Sequence, residues 1–273
     1  MIIDIHTHIF PDAMAKKTIA QIAGESGLIP FTQGSRQELL DSMEKNEIRC
    51  SVNLPVATRP GQFNSINLFA HGLNEAAREQ KFSKIISFGA IHPESSNYKE
   101  ELRELSRMGF QGIKLHPDYQ NMMFDDIRYL RILDAASELG LVQVVHAGKA
   151  YENQSIVHAT PKQIKHVIRQ VEPEKLVMAH FGGFGYWDEV EELLVGENVY
   201  FDTAYILKEI EEERFLRILR AHGSNKVLFG SDLPWGGQAE SLAYINKWAL
   251  TDTERKNILY ENASSLLNLA QLS

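Results

Sequence analysis

The chain has 273 residues, 44% hydrophobic and 23% charged, with a formal net charge of −8 at pH 7. That is the make-up of an ordinary globular protein with length enough for a large core. The acidic balance, with no basic stripe, argues against a nucleic-acid partner. Cys50 is the one cysteine, so no intrachain disulfide can form, and its apolar surroundings suit a buried thiol that packs as a small hydrophobe. No stretch approaches the ~18 consecutive apolar residues that cross a membrane. No basic, apolar and cleavable leader opens the chain, so a cytoplasmic location without a membrane partner is expected.

In chain order, short β-rich runs fall near 2–6, 49–54, 85–91, 111–116, 141–146, 175–180, 198–202 and 226–231. Helical periodicity fills the spaces between them. Residues 64–79 place Ile66, Phe69, Ala70, Leu73 and Ala77 on one face. Residues 125–139 carry Ile127, Leu130, Ile132, Leu133 and Ala136, and residues 208–222 carry Ile210, Phe215, Ile218 and Leu219. The tail, 252–269, reads as one or two closing helices, with Thr251 or Asp252 as the cap near Glu254. Runs such as Leu141 to His146 are mostly apolar rather than alternating, as in parallel strands buried on both faces. Parallel neighbours need crossovers, usually helical. Eight such units in roughly 250 residues predict an α/β fold, a (β/α)8 TIM barrel forming one domain over residues 1–273. An open doubly wound sheet is the rival, but no Gly-x-Gly-x-x-Gly follows a strand.

Barrels of this kind carry their chemistry at the C-terminal ends of the strands. The first run ends in His6 and His8, which a period of two places on one face. Two imidazoles so placed make half of a transition-metal site, or two polar residues at a strand end. The later runs lead to Arg59, His92, Lys114 with His116, His146, His180, Asp202 and Asp232. Six of the ten histidines therefore gather at strand ends. His6, His8, His146 and Asp232 would form a set of imidazoles and a carboxylate that leaves a position open for water.

With these residues the chain resembles the amidohydrolase superfamily. The motifs are Asp4-Ile-His-Thr-His8, Gly112-Ile-Lys-Leu-His-Pro117, Val145-His-Ala147, Ala179-His-Phe-Gly-Gly183 and Phe229-Gly-Ser-Asp-Leu-Pro-Trp235, spread over nearly the whole length. The amidohydrolase-related branch, with its metal-dependent hydrolases and nonoxidative decarboxylases, looks most similar. With the His-x-His strand beginning at residue 2, the flanking β-sandwich of many superfamily members is expected to be missing. The resemblance implies that His6, His8, His146 and Asp232 bind the metal. Asp232 and His180 would be the catalytic groups, Asp232 moving the proton of the water and His180 orienting it or serving as acid/base. Lys114 would be either a carboxylated bridging ligand or an ordinary cation. One ion is expected, Zn2+ first, with Mn2+, Fe2+ or Co2+ and a second ion as alternatives.

Other residues are read as pocket lining or as turn packing: His92, His116, Asp118, Tyr119, Tyr205 and Trp235. Asp202 could orient a ligand histidine, and Arg59 could pair with a substrate carboxylate or stay solvated. His71, His158, His166 and His222 are read as surface residues. The leading expectation is hydrolysis of an amide, ester or lactone in a small molecule by metal-activated water. Decarboxylation of an aromatic or unsaturated acid is the second reading, and an inactive ligand-binding barrel the third. A homodimer is the expected assembly.

Overall fold

Strand followed by helix is the recurring unit of the computed structural model, which describes residues 1–80, 83–151 and 154–269. Strand β1 (Ile3–Thr7) precedes helices α1 (Asp12–Ser26) and α2 (Arg36–Lys45). Then come β2 (Cys50–Asn53), α3 (Phe63–Glu79), β3 (Lys84–Ser87), β4 (Gly89–Ala90) and α4 (Tyr98–Arg107). Next are β5 (Gly112–Leu115), α5 (Ile127–Glu138), β6 (Val142–Val145), α6 (Pro161–Val171), β7 (Leu176–Met178) and α7 (Trp187–Leu193). The chain continues through β8 (Tyr200–Asp202), α8 (Glu212–His222), β9 (Val227–Leu228), α9 (Gln238–Lys247), α10 (Asp252–Lys256) and α11 (Asn262–Leu266).

Local chemistry starts several of these helices. Ser35, Thr160 and Thr251 each accept from the backbone three residues on, and Glu38, Gln163 and Glu254 return the bond to complete a capping box. Of the two caps considered for the tail, Thr251 is the one used. Each helix then buries one face. On α5 that face is Tyr129, Ile132, Leu133, Ala135 and Ala136, and side chains the size of Ile132 and Leu133 contribute ~1.5–3 kcal/mol each when fully buried.

Contacts divide the chain into two units. The first comprises Met1–Asn53, Ala76–Ile86 and Asp202–Ser273, and the second Leu54–Glu75 and Ser87–Phe201. In the first, β1, β2 and β3 form a sheet in that order, with β1 parallel to β2. The other edge of β1 meets the segment after β9: Ile5 N–H donates to Phe229 O at 2.9 Å, Asp232 N–H to His6 O at 2.8 Å and His8 N–H to Leu233 O at 2.6 Å. In the second unit, β4 to β8 run side by side in sequence order, and each pair described is parallel. Strands β5, β6 and β7 are buried throughout, as apolar parallel strands require.

The third β-rich run, expected over 85–91, is two strands. Asn74 of α3 donates to Ser87 O at 3.0 Å and accepts from Ser87 N–H at 2.6 Å. Asn67, two turns earlier, does the same at Ala90, at 2.9 and 2.8 Å. Side-chain amides thus take backbone groups that a continuous ladder would use. Two further expectations need correction. Helix α8 begins at Glu212 rather than at Lys208, which ends a 3-10 turn over Ile206–Lys208. His222 is buried at the end of α8, not on the surface. Among the described residues, no helix is long and apolar enough to cross a membrane.

Candidate metal centre

The first unit brings together His6, His8, Asp202 and Asp232. His6 lies in β1 and His8 just beyond it. The parallel bridge Thr7 to Leu233, with the backbone bonds above, sets the 229–233 segment alongside them. Gly230 is what lets that segment approach: a Cβ there would lie 2.9 Å from the Cβ of His6. Asp232 then turns through a left-handed φ of 67°, a conformation uncommon for a residue with a side chain and often found at functional positions. Its Oδ1 sits 3.4 Å from His6 Nε2 and 3.2 Å from His8 Nε2. The three donor atoms lie within 4.8 Å of one another.

Buried carboxylates hold this arrangement. Oδ2 of Asp202 lies 2.7 Å from His6 Nδ1, and its Oδ1 accepts from Ala204 N–H at 3.1 Å. With Nδ1 committed to a carboxylate, Nε2 of His6 is the nitrogen left for an ion, the usual relation behind a metal-bound histidine. Asp4 lies behind them, wholly buried. It accepts from the Ser231 hydroxyl at 2.6 Å, Ser231 N–H at 3.0 Å, Gln238 Nε2 at 2.8 Å and His6 N–H at 3.2 Å. Burial pushes the Asp4 carboxyl up to about 6, against the pull of those four donors. Asp4 ties β1 to the residue preceding Asp232. Its place in the Asp4-Ile-His-Thr-His8 motif was the one signal for that role.

The second unit gathers the other histidines. Lys114 is buried in β5, and His116 and His146 follow the ends of β5 and β6. His146 Nδ1 lies 2.9 Å from Nε2 of His180, and His180 has a left-handed φ of 57°. The His116 ring is stacked between Tyr119, at 3.9 Å, and His146, at 4.0 Å. Its Nδ1 accepts from Tyr119 N–H at 3.3 Å. His92 is arranged alike, its Nδ1 accepting from Glu94 N–H at 3.2 Å, and burial holds its pKa below the usual histidine value. Tyr119 is half-exposed, Arg59 lies on an exposed loop, and Trp235, in the first unit, is buried. In that unit Lys208 lies over the Tyr205 ring, 4.4 Å from its centroid.

The sequence reading missed Gln120 and misplaced His158. Gln120 donates to Ala57 O and Ile91 O, both at 2.9 Å, and accepts from His116 N–H at 3.0 Å and from the Tyr129 hydroxyl at 2.8 Å. It fixes the loop after β5. His158, read as a surface residue, is mostly buried, with Nδ1 2.8 Å from Oδ1 of Asp118. The bonds of Gln120 to Ala57 and Ile91 and the contact of His158 with Asp118 join residues too far apart in sequence to leave a local pattern.

The family model described as amidohydrolase matches residues 3–269. The chain belongs to the amidohydrolase family. This member of the family is also similar to solved structures, at identities that speak to fold. An uncharacterised TIM-barrel protein from Bordetella bronchiseptica is 16% identical, with a TM-score of 0.77 over 99% of each chain. A dihydroxybenzoic acid decarboxylase from Polaromonas, solved with manganese and the inhibitor 2-nitroresorcinol, is 13% identical, with a TM-score of 0.71 over 99% of this chain and 98% of its own. A 5-carboxyvanillate decarboxylase from Sphingomonas paucimobilis is 12% identical, with a TM-score of 0.69 over 98% of each chain. No curated protein matches the chain. The fold is accordingly the (β/α)8 TIM barrel of this family. Two imidazole nitrogens and a carboxylate oxygen, one imidazole backed by a second carboxylate, fit a divalent ion.

Proposed function

We propose that this protein is a metal-dependent hydrolase that cleaves an amide, ester or lactone bond in a small molecule. The observation that carries the reading is Asp232 Oδ1, 3.4 and 3.2 Å from Nε2 of His6 and His8, with His6 turned toward it by Asp202. These residues would hold the ion, and His146 is proposed as a further ligand on the sequence resemblance. A bound divalent ion supplies Lewis-acid activation of water and of a substrate carbonyl. Zinc is the proposed ion, and manganese is the competitor that the Polaromonas decarboxylase brings forward.

The chain's own groups then divide the work. Asp202 keeps the His6 ring in one orientation and one tautomer, so that Nε2 stays a lone-pair donor. Asp232 accepts a proton from the attacking water and returns it to the leaving group. His180 holds the water or steadies the developing oxyanion. The second reading is decarboxylation, favoured by the two decarboxylases of the same fold. It uses the same residues, with His180 or the activated water delivering a proton to the substrate carbon as CO2 departs.

The test is metal content of untagged, chelator-free protein, followed by parallel screens of esters, lactones and amides and of aromatic carboxylic acids. About one divalent ion per chain, lost in His8→Ala, together with hydrolytic turnover supports the proposal. Release of CO2 with no hydrolysis transfers it to the second reading. Protein that takes up no ion on reconstitution sinks both.

A further inference from the structure

We propose that Asp118 is a positioning residue for His146: its Oδ2 receives Nε2–H of His146 and leaves Nδ1 of that ring for the ion. The inference rests on the proposed role of His146 as a ligand.

Asp118 is a buried carboxylate whose two oxygens are treated differently. Oδ1 accepts from His158 N–H at 3.2 Å, lies 2.8 Å from His158 Nδ1 and takes the amide of Gln154. Oδ2 is shielded from solvent and accepts no hydrogen bond from the described residues. It lies 3.6 Å from His146 Nε2. That gap exceeds a hydrogen bond, so the imidazole must turn toward Oδ2 to form one. Contacts that matter in a site are often long before its ligand arrives and tighten afterwards. The carboxylate cannot swing away, because its other oxygen is held from three sides. On the opposite side of the ring, His146 Nδ1 lies 2.9 Å from His180 Nε2. The two nitrogens of His146 therefore face different partners, a carboxylate on one side and the candidate catalytic histidine on the other.

His6 has the same relation with its nitrogens exchanged. There Nδ1 meets Asp202 at 2.7 Å and Nε2 lies toward Asp232 at 3.4 Å. In each unit a candidate ligand histidine thus has a buried carboxylate beside the nitrogen turned away from the proposed ion. A carboxylate on the far nitrogen fixes the tautomer and raises the basicity of the near one. A rival use of Asp118 is direct coordination, since donor atoms of His116, Asp118 and His146 lie within 4.8 Å of one another. The stacking argues against it. The His116 and His146 rings are 4.0 Å apart and only 8° from parallel, so their in-plane lone pairs run side by side and do not converge on one ion. In addition, Nδ1 of His116 already accepts Tyr119 N–H.

The test uses the full chain, stripped of metal and titrated with Zn2+ against a chelating dye, in the wild type, Asp118→Asn, His158→Gln and His8→Ala. Asp118→Asn puts an amide N–H where His146 needs an acceptor. It is expected to lower zinc affinity about 10–100-fold with unchanged stoichiometry, while the thermal melt of the metal-free protein stays cooperative. Long-range 1H–15N spectra should show His146 as the Nε2–H tautomer in the wild type and as a mixture in the variant. If Asp118→Asn fails to fold, His158→Gln, which loosens Asp118 without removing it, should weaken zinc in the same direction but less. Unchanged affinity, a wild-type Nδ1–H tautomer, or the loss of one whole equivalent of zinc each overturns the inference, the last by making Asp118 a ligand. His8→Ala is the control for the parent reading. If it binds zinc as the wild type does, the proposed function fails; if it loses zinc while Asp118→Asn does not, only the role of Asp118 fails.

Discussion

Nδ1 of His6 lies 2.7 Å from Oδ2 of Asp202, and both side chains are buried, 196 residues apart in sequence. A buried carboxylate needs a donor, and a buried imidazole that is to offer one lone pair must keep its proton on the other nitrogen. The pair meets both needs at once. Asp202→Asn is therefore expected to keep the fold while lowering affinity for Zn2+ about 10–100-fold. Titration of metal-free protein against a chelating dye measures it, and an unchanged dissociation constant would show that Asp202 has no part in setting His6.

His180 is proposed to work on water and not on the ion. His180→Ala should purify with the wild-type metal content and lose about 10²–10⁴-fold in turnover, the range for removing an acid/base group. Elemental analysis beside the rate decides it. Metal content that falls by half would make His180 a ligand of a second ion.

Cys50 makes a prediction independent of function. It is buried in β2, and burial pushes its thiol up to about 12, since a thiolate there would be stripped of water. At pH 8 the native protein should give almost no reaction with a thiol reagent, then one equivalent on unfolding in guanidinium. Rapid labelling of the native chain would contradict the burial.

Asp126 supplies a pH signature. It caps α5, accepting from Arg128 N–H at 2.9 Å, and it pairs with the Arg128 side chain at 2.8 Å. The Arg128 hydrogen bonds hold its carboxyl down at about 2, against an ordinary 3.8. A depressed carboxylate contributes stability above its unfolded pKa and loses it as pH falls through the folded value. The stability gap between wild type and Asp126→Asn should thus be present at pH 5 and shrink between about 4 and 2, read as urea midpoints. A gap that widens in acid would reverse the sign.

Much of this protein is written in short-range pattern. The β-rich run near 141–146 became β6, because a short stretch dominated by valine between turn signals has few other ways to be buried, and the run near 111–116 became β5 beside it. The period of two that put His6 and His8 on one face is a property of any strand, and Thr251 followed by Glu254 spells its own helix start. Pairings across long separations were settled only by folding. Nothing near Asp202 says that its partner is His6, nothing near Asp4 points to Ser231, 227 residues away, and nothing near Asp118 points to His158. The division of the third strand depended on two asparagines of α3 reaching Ser87 and Ala90. The physical reason is one of range. Periodicity and capping act over a few residues and are legible in one dimension. A buried carboxylate finds its donor only after the backbone has closed around it, and the sequence carries the two partners without the path between them.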